Sequence, residues 1–131
     1  GLLLLTNDGE LANRLTHPSY EIPKTYVARV HGEVKPGVRR RLMEGIELED
    51  GPIAVDSFRT METYGDITTV EIVVHEGRNR LVRRLMDEVG YPVRELVRTK
   101  FGPIRLDHLQ PGTMRRVKGP QLAALYDVVG L

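Results

Sequence analysis

The stretch His75–Gly90, HEGRNRLVRRLMDEVG, concentrates the residues best suited to binding chemistry. Asn79 is a favoured N-cap, and Leu81, Val82, Leu85, Met86 and Val89 recur at helical spacing, which predicts a helix over Asn79–Val89. Arg80, Arg83 and Arg84 occupy the other side in its first turns, while Asp87 and Glu88 fall in the last. That order is reversed. A helix N-terminus carries partial positive charge, so each exposed misplaced charge costs roughly 0.3–1 kcal/mol. Arg78, just ahead of the cap, adds to the crowding. An external anion would compensate, because helix N-terminal amides and guanidinium forks together hold phosphate or carboxylate. The same pattern also reads as a solvated arginine face paired with nearby acids.

Arg94, Arg98 and Lys100 follow. Between Arg78 and Lys100 the chain has seven basic residues against three acidic ones, although its net charge is only +1. A basic patch on a near-neutral chain points to a localised anionic partner. Tyr26 lies in KTYVARVH, where Tyr26, Ala28 and Val30 share one strand face and Val27, Arg29 and His31 the other. By pattern alone it reads as a core tyrosine.

These residues need elements to hold them. The 131 residues suffice for one ordinary domain. Leu2–Thr6 reads as a short buried strand and Asn7-Asp8-Gly9 as a turn, with Asp8 in a turn role. Glu10–Leu15 reads as a short helix, and Lys24–His31 as a strand. A helix over Val38–Glu44 is stopped by Gly45. Ile46–Leu48 and Ile53–Phe58 read as strands around Glu49-Asp50-Gly51-Pro52. Thr68–His75 and Arg94–Lys100 read as strands, Gly102-Pro103 and Pro111-Gly112 as turns, and Lys118–Val129 as a final helix. Strands outnumber helices, so the expected class is α+β, a largely antiparallel (mixed) sheet flanked by helices.

The absence of cysteine excludes disulfides and cysteine-ligated zinc and fits a reducing cytoplasm. His17, His31, His75 and His108 show no ligand spacing, so no metal site is expected. No segment is long enough to span a membrane, and the Leu2–Leu5 run lacks the leader and length of a signal peptide.

Four segments together, GLLLLTNDGELANRLTHP, KTYVARVHG, EGRNRLVRRL and LVRTKFGPIRL, resemble the catalytic domain of bacterial ribosomal-RNA pseudouridine synthases of the RsuA/RluB branch. The likeness runs the length of the chain and is weakest over Glu33–Gly65. It implies isomerisation of uridine in ribosomal RNA. The base–sugar bond breaks, the uracil turns over, and it rejoins through carbon after leaving the helical stack. No cofactor and no metal are implied. The family's Lys-x-Tyr tyrosine falls on Tyr26, where the ring would stack on the uracil and the phenol relay a proton. Its motif arginine falls on Arg83, which pairs with the catalytic aspartate and keeps it ionised. The apolar wall of the uracil pocket falls on Leu96. Lys24, Arg78, Arg80, Arg84, Arg98 and Lys100 would contact RNA phosphates. Leu81 stands where the family usually has glutamine.

In that family the catalytic aspartate lies in a Gly-Arg-Leu-Asp segment shortly before GLLLLTNDG, and a small RNA-binding domain commonly comes earlier. The expectation is therefore that these 131 residues lack the aspartate and are inactive alone. Asp8 and Glu76 are not expected to replace it. Two other classes remain open: a non-catalytic RNA-binding module, and a structural domain whose arginines pair internally.

Overall fold

The computed structural model describes all residues Gly1–Leu131. Seven strands and four helices follow one another. They are α1 (Gly9–Thr16), β1 (Lys24–His31), α2 (Pro36–Glu44), β2 (Ile46–Leu48), β3 (Gly51–Ile53), β4 (Ser57–Tyr64), β5 (Ile67–Val74), α3 (Leu81–Glu88), β6 (Val93–Phe101), β7 (Ile104–Arg105) and α4 (Pro120–Val128). A 3-10 turn covers Pro18–Tyr20. The strand order is β4-β5-β1-β6-β7, every pairing is antiparallel, and β2–β3 form a separate hairpin. No helix is long and apolar enough to cross a membrane.

Alternation on β1 and β5 builds the main core. Ala28 and Val30 are buried opposite Val70 and Thr68, while Arg29 and His31 face out. Val38 and Leu42 of α2, and Leu81, Val82, Leu85 and Met86 of α3, close over that face together with the hairpin residues Ile46, Leu48 and Ile53. Each such side chain, once buried, contributes about 1.5–3 kcal/mol of hydrophobic stabilisation. A second cluster joins Leu11 and Leu15 of α1 to Leu125 and Val129 near the chain end, over Phe101 and Ile104. Asp8 ties it together. Its carboxylate caps α1 by accepting from the Leu11 amide (3.1 Å) and also accepts from the Tyr126 hydroxyl (2.7 Å). Asp8 is thus an N-cap as well as a turn residue.

Three expectations are corrected. Leu2–Thr6 is not a strand. The Leu2 amide donates to the Arg98 carbonyl at 2.8 Å, but Leu3–Thr6 have no neighbouring strand to extend a ladder, and Leu3 and Leu5 are 70% and 74% exposed. Ile53–Phe58 is not one strand either. The Val55 amide donates to the Leu42 carbonyl at the end of α2, and this bends the chain between β3 and β4. Finally, Asn79 is not the cap of α3. Arg80 holds that position at φ 51°, with no side-chain cap, and the Asn79 carbonyl instead accepts from Arg84 Nε at 2.9 Å.

Candidate active site

A cavity of about 280 Å³ opens between the β1–β6 pair and the start of α3. That volume is at the small end of ligand pockets. Tyr26, Arg83 and Leu96 all line it, as do Lys24, Arg78, Arg80 and Arg98. Arg84 and Lys100 do not. Lys100 lies opposite Thr25 and Arg105 in the sheet, and Arg84 is occupied on the outer side of the arginine loop.

The strand wall depends on an irregularity. Lys24 and Thr25 pair with Phe101 and Lys100, but Tyr26 pairs with Arg98, so Thr99 is an extra residue in β6. Such a bulge reverses which side chains face which way. Here it turns Arg98 and Leu96 onto the face carrying Tyr26 and Ala28. The Tyr26 ring packs against the main core and also lines the cavity, so the core reading and the site reading both hold in part. No buried polar side-chain atom lacks a partner, and the Tyr26 hydroxyl bonds to nothing in the chain, so it is open to the cavity.

The cationic wall comes from two places. Lys24 and Arg98 lie over the Phe101 ring at 5.5 and 5.0 Å. Burial pushes the Lys24 ammonium below the usual lysine value, and the neighbouring Arg98 charge pushes the same way. An anion arriving here would relieve both. Opposite them, Arg83 donates to the Val93 carbonyl at 3.3 Å and makes no ion pair, while the exposed Arg80 side chain has no protein partner. The amides of Val82 and Arg83, at the start of α3, find no backbone acceptor. Leu81, Val82 and Leu96 provide apolar surface between these groups. The arrangement suits a flat, uncharged ring flanked by anionic groups.

The other two arginines follow the internally paired reading. Arg78 donates to Glu76 (2.8 Å) and to the Gly51 and Pro52 carbonyls (3.0 and 2.9 Å). Arg84 grips Asp50 through both terminal nitrogens, at 2.9 and 3.0 Å. Glu76 is the one carboxylate lining the cavity, against five basic side chains. No group of histidines and carboxylates converges as a metal site would. Sequence reasoning missed Asp50, read as a turn residue, and the Thr99 bulge. The reversed charges of α3 were a signal for Asp50; nothing local signalled Thr99.

A family profile described as RNA pseudouridylate synthase matches residues 1–88, which include Tyr26 and Arg83. An uncharacterised RNA pseudouridine synthase of Mycobacterium tuberculosis is 51% identical over 131 residues, covering 100% of this chain and 52% of the relative. A ribosomal large subunit pseudouridine synthase B of Bacillus subtilis is 42% identical over 119 residues, covering 89% of this chain and 49% of the relative. The crystal structure of a pseudouridylate synthase superposes with a TM-score of 0.79 at 29% identity, over 92% of this chain and 52% of the other. The chain spans about half the length of the curated relatives it matches. With two thirds of its residues inside the family profile, and the expected tyrosine and arginine facing one cavity, the chain belongs to the RNA pseudouridylate synthase family.

Proposed function

We propose that the protein isomerises uridine to pseudouridine in RNA, that its substrate is ribosomal RNA, and that it works in the cytoplasm. The observation that carries this reading is the convergence of Tyr26, Arg83 and Leu96, from three separate segments, on one small cavity. A flipped uracil enters there. The Tyr26 ring stacks on it, Leu96 supports its edge, and Lys24, Arg80 and Arg98 meet the flanking phosphates. The C1′–N1 bond breaks, the uracil turns over, C5 bonds to C1′, and the C5 proton is lost as N1 gains one. The Tyr26 hydroxyl is the proton relay. Arg83 holds the catalytic carboxylate ionised.

We do not assign that role to Glu76, which pairs with Arg78 and not with Arg83, so the carboxylate is another group. In this reading it lies outside these 131 residues, which alone bind RNA without turnover. The test uses ribosomal RNA transcripts carrying tritium at uracil C5. The full-length protein should release tritium, and the 131 residues should bind the transcript in a salt-dependent way and release none. Release by the 131 residues would show that their own groups suffice. Binding without release by the full-length protein would favour a non-catalytic RNA-binding module. Negligible binding at low salt would favour a structural domain.

A further inference from the structure

Arg84 reaches in two directions. Its Nε donates backwards to the Asn79 carbonyl at 2.9 Å, and its terminal nitrogens hold Asp50 at 2.9 and 3.0 Å. Arg78, at the other end of the same loop, donates to the Gly51 and Pro52 carbonyls and comes within 3.5 Å of Asp50. Between these anchors sits Arg80, at φ 51°. A non-glycine residue keeps that conformation only where its surroundings enforce it. The hairpin is a firm anchor, because Ile46, Leu48 and Ile53 are buried in the main core. Asp50 stands at its tip and does not line the cavity.

We propose that Asp50 is a positioning residue: from the hairpin tip it clamps Arg84, and with the adjoining carbonyls it brackets Arg78, holding the intervening loop so that Arg80 and Arg83 face the cavity. The clamp also accounts for the charge order of α3. The first turn of that helix contains no acid of its own. The hairpin supplies one, which answers Arg84 from outside the helix. Arg84 in turn holds the Asp50 carboxyl below the usual carboxylate range, so the pair stays charged at neutral pH. Arg80 and Arg83, in no ion pair, keep their charge for a ligand. Arg84, outside the cavity, is structural; Arg78 both brackets the hairpin and lines the cavity, and Arg80 and Arg83 face it unpaired.

The kinetic consequence rests on the proposed uridine chemistry; the structural one does not. The full-length protein is compared with Asp50→Asn and Asp50→Glu. Under native conditions, trypsin should cut the bonds after Arg78, Arg80, Arg83 and Arg84 several-fold faster in Asp50→Asn. Glu71→Gln, which removes a remote pair with Arg59, should leave those rates unchanged. Asp50→Asn should lower kcat on uridine by about 10- to 100-fold, the penalty of a misplaced group. KM should rise as well, because Arg80 loses its place against the RNA, and Asp50→Glu should recover most of both losses. A purely structural role would lower the melting temperature and leave kcat per folded molecule intact. Arg84→Lys, which cannot form the fork, should reproduce the faster cleavage if Asp50→Asn folds poorly. Unchanged cleavage together with a kcat within about twofold of the parent would overturn the inference. If the parent isomerises no uridine, the functional reading falls, and the tryptic rates alone decide whether the clamp exists.

Discussion

Arg98 lies directly opposite Tyr26 because Thr99 bulges out of β6. In a regular ladder Thr99 would take that place, and Arg98 and Leu96 would point to the other face of the sheet. The bulge therefore gives the cavity a cation and part of its apolar wall at once. Arg98 then works beyond the cavity too, since its Nε and Nη2 donate to the Leu2 carbonyl at 2.9 and 2.6 Å.

Arg98→Ala removes both bonds and the contact with Phe101. Hydrogen bonds from a charged donor are worth about 1.5–3 kcal/mol, so urea unfolding should show a loss of that order. Arg98→Lys should recover less than half, because an ammonium cannot form the fork. A loss under about 0.5 kcal/mol would place Arg98→Ala among ordinary surface changes.

Tyr26→Phe separates the ring from the hydroxyl. The hydroxyl bonds to nothing in the chain, so the melting temperature should not move. Stacking survives, so RNA affinity should hold. On the proposed relay role, its loss should slow turnover by the full-length protein by about 10²–10⁴-fold. Full turnover by the phenylalanine variant would leave stacking as the whole role of Tyr26.

Arg80→Ala should weaken RNA binding without loss of stability, because the exposed side chain makes no hydrogen bond or ion pair within the chain and alanine shares the backbone preference of arginine. Neutralising one phosphate contact to an unstacked strand lowers the salt slope of log K by about 0.7. Lys100→Ala, on the opposite face from the cavity, should leave that slope unchanged. The reverse ranking would move the RNA to the other side of the sheet.

What the sequence made legible follows from the range of the forces involved. Alternation in KTYVARVH and the helical stripe Leu81–Val89 are local patterns, and both elements formed with the expected faces buried. The co-location of Tyr26, Arg83 and Leu96 was legible through the resemblance, since no periodicity links residues so far apart. Leu2–Thr6 misled because apolar content marks a strand without naming a neighbour to pair with. The Thr99 bulge depends on how β6 meets β1, which no single segment encodes. Asp50 escaped because an Asp-Gly pair is an ordinary turn signal; its grip on Arg84 crosses 34 positions.

The Asp8–Tyr126 contact predicts a stability window in pH. The Tyr126 hydroxyl, then the Leu11 amide, hold the Asp8 carboxyl below its ordinary value of 3.8. Asp8 in turn holds the Tyr126 hydroxyl above its ordinary value of 10.0, by accepting its proton in a hydrogen bond. A depressed carboxyl contributes stability that is complete above the unfolded value and is lost as pH falls through the folded one. A raised phenol contributes stability that is complete below its unfolded value and is lost as pH rises through the folded one. The contact should therefore stabilise the chain between those limits and fade at both ends. Tyr126→Phe should melt below the parent at pH 7, and the gap should close well below 3.8, where the carboxyl is protonated. Asp8→Asn should behave likewise, and the double variant should cost less than the two single losses combined, because both remove the same bond. A gap that stays constant from pH 7 into strong acid would mean that Tyr126 holds α4 in place by packing alone.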